Sequence, residues 1–152
     1  MKAFERILFP ADLSEVSRKI VPYATLMART FQAKLHLLFV ARLFKYYDNI
    51  YVPPVSICQF ENEIVKGGKR RLEEFIREHF EQGSVSAAKV VPGDPGEEIV
   101  RYIKEEGIDL VVMGTHGRKS IDRVLFGSVA GYVVRMSPVP VMTVNPYRMT
   151  TP

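Results

Sequence analysis

Five short apolar runs punctuate the chain: Ile7–Phe9, Leu35–Val40, Lys89–Val91 with Ala87 and Ala88 before it, Leu110–Met113 and Val139–Val144. Each is nearly continuous rather than alternating with polar residues, the pattern of strands buried on both faces of a parallel sheet. The intervening segments carry the helical period instead. Ile20, Ala24, Met27, Ala28 and Phe31 fall on one stripe at i, i+4, i+7, i+8 and i+11. Ser14 or Ser17 would cap that helix, and Pro22 leaves its start open between them. A second stripe joins Ile64, Gly68, Leu72, Phe75, Ile76 and His79. Its Gly68 suggests close packing on a sheet. A third helix is predicted over Pro95–Glu105, with Pro95 in its first turn and Gly107 at its stop. A fourth begins near Ser128 and ends before Pro138.

Strand and helix alternate throughout, which predicts a doubly wound α/β domain with right-handed crossovers. No internal repeat or linker interrupts it, so residues 1–146 are expected to form one domain, followed by a short flexible tail over 147–152. Arg42–Gln59 stands apart as a long connection containing Tyr46, Tyr47, Tyr51, Pro53 and Pro54. It is read as a loop packed on the domain or, alternatively, as a lid or partner surface. Pro140 places the fifth run at a sheet edge. An apolar edge needs covering, and pairing with the same strand of a second chain would supply it.

Composition narrows the possibilities only modestly. The 152 residues are 47% hydrophobic and 25% charged, which is ordinary for a globular domain and argues against disorder. The 21 basic and 17 acidic residues leave a net charge of +4. They are interspersed rather than segregated, which argues against a nucleic-acid surface. The single cysteine, Cys58, excludes an internal disulfide and a multi-cysteine metal site, and it is read as an ordinary loop residue. No apolar run approaches the ~20 residues of a membrane span, and no secretory signal precedes the first strand, so the cytoplasm is expected.

Ligands of open α/β sheets bind beyond the carboxyl ends of the strands, where strand order reverses. The first strand runs into Pro10-Ala11-Asp12, and Asp12 is either a plain turn residue or an acceptor for a ribose or adenine amino group. The fourth runs into Met113-Gly114-Thr115-His116-Gly117-Arg118, and Gly127-Ser128 opens the last helix. The free N–H groups and positive dipole end of such a helix favour an anion. Arg118 and Lys119 add charge, and Ser128 offers a hydroxyl to cap the helix or meet a phosphate. The spacing is not that of a P-loop, and no dinucleotide fingerprint follows the first strand. His116 is read as a solvent-facing loop residue, and His36 and His79 as structural.

Gly114-x2-Gly117-x9-Gly127-Ser128, the opening segment Ile7–Ser14, Gly93-Asp94-Pro95, Asp109–Met113 and Ser137–Val141 together resemble the universal stress protein family over nearly the whole chain. The resemblance implies a five-stranded parallel sheet in the order 3-2-1-4-5, Rossmann-like, with helices on both faces. It also implies a homodimer through Val139–Val144 and, for members with the full glycine motif, ATP binding. Carried over by position, Pro10, Ala11, Asp12 and Val40 would surround adenine and ribose. Met113, Gly114, Gly117 and Arg118 would follow the ribose and first phosphates, and Gly127, Ser128 and Val129 would hold the outer phosphates. The expected ligand is ATP, AMP or ADP, the polyphosphates with Mg2+. The expected role is a nucleotide-dependent regulatory module in stress response. The alternatives are a slow ATPase or nucleotidyl-transfer enzyme, and a nucleotide-free dimeric scaffold.

Overall fold

The computed structural model describes residues 3–43, 54–117 and 126–148. Its strands are β1 (Arg6–Pro10), β2 (Lys34–Arg42), β3 (Ala87–Gly93), β4 (Leu110–Gly114) and β5 (Val141–Val144). Its helices are α1 (Glu15–Phe31), α2 (Pro54–His79), α3 (Pro95–Glu105) and α4 (Ser128–Met136). All pairings are parallel, and the sheet order is β3-β2-β1-β4-β5. β1 is central: Ile7 and Leu8 are fully buried and Phe9 nearly so. Its odd and even positions feed separate cores. Ile7 and Phe9 join Leu35, Leu37, Ile20, Ala24, Leu72 and Phe75 under α1 and α2. Leu8 joins Leu38, Val111, Ile99, Ile103 and Val133 under α3 and α4. This is why the strand runs lack polar alternation.

Local chemistry explains the helix bounds. Ser14 caps α1 by accepting from the Val16 N–H at 3.2 Å. Pro22 lies inside α1 rather than delaying its start. It sits on the exposed side, where the carbonyl that loses its helical donor can face solvent. Asp94 caps α3 through the Glu97 N–H, Pro95 opens it, and Gly107 follows it at φ 61°. Gly96 is where α3 and α4 touch, because a Cβ there would lie 2.6 Å from the Tyr132 ring.

Three expectations are corrected. The connection after β2 does not extend to Gln59, because α2 starts at Pro54, and Cys58 is an exposed helical residue. Proline suits a first turn, and the half-buried Ile57, Glu61, Ile64 and Val65 extend the helical period back from Gly68. The remainder of that connection, including Tyr46, Tyr47 and Tyr51, lies outside the described residues. The fifth strand begins at Val141 rather than Val139, since Val139 is held in a turn by the Ser137 hydroxyl. β5 does lie at the sheet edge. Finally, His116 is buried, as described below.

Candidate functional site

The sheet reverses direction of winding between β1 and β4, and the loops leaving these two strands flank a cleft of about 870 Å3. Ten of the eleven expected site residues line it: Pro10, Ala11, Asp12, Val40, Met113, Gly114, Gly117, Gly127, Ser128 and Val129. The eleventh, Arg118, lies outside the described residues. Four stretches of chain therefore converge on one space.

The β1 side is built around Asp12. The Ala11 N–H donates to the Leu38 carbonyl at 2.9 Å, which ties the loop to β2. Asp12 Oδ1 accepts from the Ser14 N–H at 3.0 Å and the Ser17 hydroxyl at 2.6 Å, while the Asp12 N–H donates to Ser17 Oγ at 2.9 Å. Leu13 accommodates this tight turn in the left-handed region at φ 61°. The turn reading of Asp12 is thus correct for Oδ1. Its second oxygen faces the other loop: a Cβ on Gly117 would stand 3.1 Å from Asp12 Oδ2. Glycine at 117 lets the two loops approach across the cleft.

The β4 side is fastened at Thr115, whose N–H donates to the Val144 carbonyl at 2.9 Å. Its carbonyl accepts from the Gly127 N–H at 2.7 Å, bringing the start of α4 back beside the end of β4. The Thr115 hydroxyl and His116 Nδ1 lie 2.8 Å apart, and Tyr147 packs edge-on against the His116 ring at 5.6 Å. These contacts bury His116, which the sequence could not reveal because Tyr147 arrives from beyond β5. Residues 149–152 lie outside the described set.

Charge is distributed unevenly around the cleft. Among its described lining residues, Asp12 is the one carboxylate, and Arg42 and Arg71 are the cations. The α4 N-terminus opens onto it with Gly127, Ser128 and Val129. Gly127 is the N-cap, with no side-chain cap hydrogen bond, and no acidic residue occupies the first turn. Ser128 therefore does not cap the helix; it is the first helical residue. By contrast, α1 and α3 are capped by Ser14 and Asp94, with acids in their first turns. The unmodified positive end of α4 suits an external anion.

The structure adds a wall that sequence reasoning missed. Phe39, Arg42, Ile64, Gly67, Gly68 and Arg71 line the side of the cleft toward α2. Gly68 packs as expected: its Cβ would meet Val90 at 2.8 Å and Phe39 at 3.3 Å. Gly67 differs, because a Cβ there meets none of the described residues within 4 Å. A glycine inside a helix costs about 1 kcal/mol relative to alanine, and here packing does not require it. The double glycine was the available signal, but the stripe assigned only Gly68 to a face.

Away from the cleft, His36 Nδ1 and the Tyr102 hydroxyl lie 3.0 Å apart between β2 and α3. Burial lowers the His36 pKa, opposed by Glu106 and assisted by Arg6 and Lys34. Burial, then Glu106, raises Tyr102 to about 12. Both groups are held neutral, which supports their structural role. His79, at the end of α2, packs edge-on against Phe75 at 4.8 Å.

A parallel, doubly wound sheet with a cleft at the carboxyl ends of its central strands defines an α/β protein of the Rossmann-like class. Comparison with known proteins narrows this class. The model of the universal stress protein family matches residues 3–145, and the chain belongs to that family. The universal stress protein YxiE of Bacillus subtilis is 31% identical, over 93% of this chain and 99% of its own. The solved structure of hypothetical protein MJ0577, a universal stress protein of Methanocaldococcus jannaschii, is 27% identical with a TM-score of 0.75, covering 99% of this chain and 100% of that one. A family protein of Arabidopsis thaliana solved with AMP bound shares the fold at 20% identity and a TM-score of 0.62, over 93% of this chain and 91% of that one. Among the described residues, no helix is long and apolar enough to cross a membrane.

Proposed function

We propose that this chain binds an adenine nucleotide in the cleft and acts as a nucleotide-dependent binding module in stress response. The observation that carries this reading is the convergence of ten motif residues, from four stretches of chain, on one cleft entered by an uncapped helix N-terminus. The phosphates would lie against the N–H groups of Ser128, Val129 and Ala130 and the hydroxyl of Ser128. Adenine and ribose would occupy the side formed by Pro10, Ala11, Asp12 and Val40, where apolar walls meet one carboxylate. ATP is the proposed ligand, with AMP and ADP as weaker competitors that reach fewer of these donors. Among the described residues, no group of three His, Cys, Asp or Glu side chains could hold a metal by itself. Mg2+ would therefore come in on the phosphates.

The assembly proposed is a cytoplasmic homodimer through β5. Pro140 and Val144 turn their carbonyls toward β4. Strand alternation then directs the backbone groups of Val141 and Thr143 outward, ready to pair with a second copy. The experiment for the ligand is direct: denature freshly purified protein, identify released nucleotides by mass spectrometry, and titrate ATP into the nucleotide-free chain by calorimetry. Saturable ATP binding at one per chain, weaker for AMP, is the expected result. Absence of both release and binding, with and without Mg2+, would return the chain to the scaffold reading.

A further inference from the structure

The α2 wall is not accounted for by the nucleotide motif, and it has its own chemistry. Phe39 and Ile64 supply a half-buried apolar surface, and Gly68 draws α2 tight against Phe39 and Val90 beneath it. One residue earlier, Gly67 leaves open space: a Cβ there would meet no described residue within 4 Å. One helical turn on, Arg71 lines the same cleft, with its guanidinium carbon 5.6 Å from the centre of the Phe39 ring. Glu15, Glu74 and Glu78 line the adjoining cavity on the other side of Arg71, while on the cleft side this wall contributes no carboxylate among the described residues. Arg42 adds a second cation at the end of β2.

We propose that this wall is a second subsite of the cleft, for a small apolar anion: a carboxylate or phosphate carried on a short aliphatic or aromatic body. The body lies over Phe39 and Ile64 in the space kept by Gly67, and the anionic group meets the Arg71 guanidinium in a charge-assisted, bidentate contact. Arg71 suits this task because the aromatic face orients its plane while leaving its N–H groups available. The subsite goes beyond the nucleotide reading and does not depend on it.

Two probes with this chemistry test the inference: the fluorescent anion 1-anilinonaphthalene-8-sulfonate, and decanoate as its competitor. The native chain should bind the fluorophore saturably at one per chain, with decanoate displacing it. Gly67→Leu should weaken the fluorophore about tenfold or more by filling the space, with ATP affinity changed less than about twofold. Arg71→Gln, a second and milder variant, should weaken both anions by removing the charge. Gly127→Asp should leave them bound. Retention of the probe under saturating ATP would identify a separate co-ligand, and displacement a single ligand spanning both lobes; the subsite stands in either case. No saturable probe binding to the native chain would overturn it. So would binding that survives both Gly67→Leu and Arg71→Gln, or binding that is lost in Gly127→Asp.

Discussion

Replacing Gly127 with aspartate should separate stability from ligand binding, because the two respond with opposite signs. Gly127 has φ −65° and ψ 167°, extended backbone open to any residue, so the substitution introduces no backbone strain. At an N-cap, aspartate is preferred to glycine by a few tenths of a kcal/mol, since its carboxylate accepts from the free helical N–H groups. The variant should therefore melt within about 1 °C of the native protein or slightly above it. The ligand meets the reverse situation. The N–H donors proposed for phosphate are then engaged by the new side chain, forfeiting charge-assisted bonds of ~1.5–3 kcal/mol each. A carboxylate ~4 Å from phosphate also adds roughly 4 kcal/mol of repulsion per unit charge at an effective dielectric near 20. Even with half of that sum screened, ATP affinity should fall by at least ~100-fold. Calorimetric titration alongside thermal denaturation reads both quantities. A folded Gly127→Asp protein that binds ATP within about fivefold of native would refute the placement of phosphate at α4.

Gly67→Ala should stabilise the chain by ~0.5–1 kcal/mol in chemical denaturation, since the new methyl meets only open space; a loss of stability would contradict that geometry. Gly96→Ala should cost ~1–3 kcal/mol by driving a methyl into Tyr132, and Tyr132→Ala in the same chain should recover part of it. Because the folded-state pKa of His36 is depressed, the unfolded chain binds the extra proton first. Its stabilising contribution is therefore complete above about pH 6.5 and is lost as pH falls through the folded-state value. His36→Gln should flatten the acid limb of a stability–pH profile, and an unchanged slope would count against a buried neutral imidazole. Thr143→Pro at the outward positions of β5 should yield monomers in sedimentation velocity, and persistence of dimers would place the interface elsewhere.

The legibility of this chain follows from where its determinants lie. Central strands buried on both faces must be apolar at every position, so Ile7–Phe9 and Leu110–Met113 announce themselves. Caps and stops such as Asp94, Pro95 and Gly107 are equally local. The motif residues of the cleft were legible for a related reason: each sits in or just beyond the carboxyl end of a strand, or at a helix start. What failed depends on contacts between distant segments. Over residues 56–60 α2 carries no buried side chain to mark it, so Pro54–Gln59 resembled loop. His116 is buried by Tyr147, and nothing near position 116 signals it. The α2 wall of the cleft faces the site only because β2 and α2 bring Phe39, Gly67 and Arg71 together.

The hydrogen bond from the Gly127 N–H to the Thr115 carbonyl closes the chain on itself at the mouth of the cleft. Everything between these two residues is an excursion whose ends are already joined, with Thr115 anchored in turn to the edge strand. Closing such an excursion costs entropy that grows only slowly with its length. A change in the length of the intervening chain should therefore cost the fold little, so long as the Thr115–Gly127 clasp is kept. The clasp ties the opening of α4 to the edge strand, so both ends of the excursion take their places from the sheet.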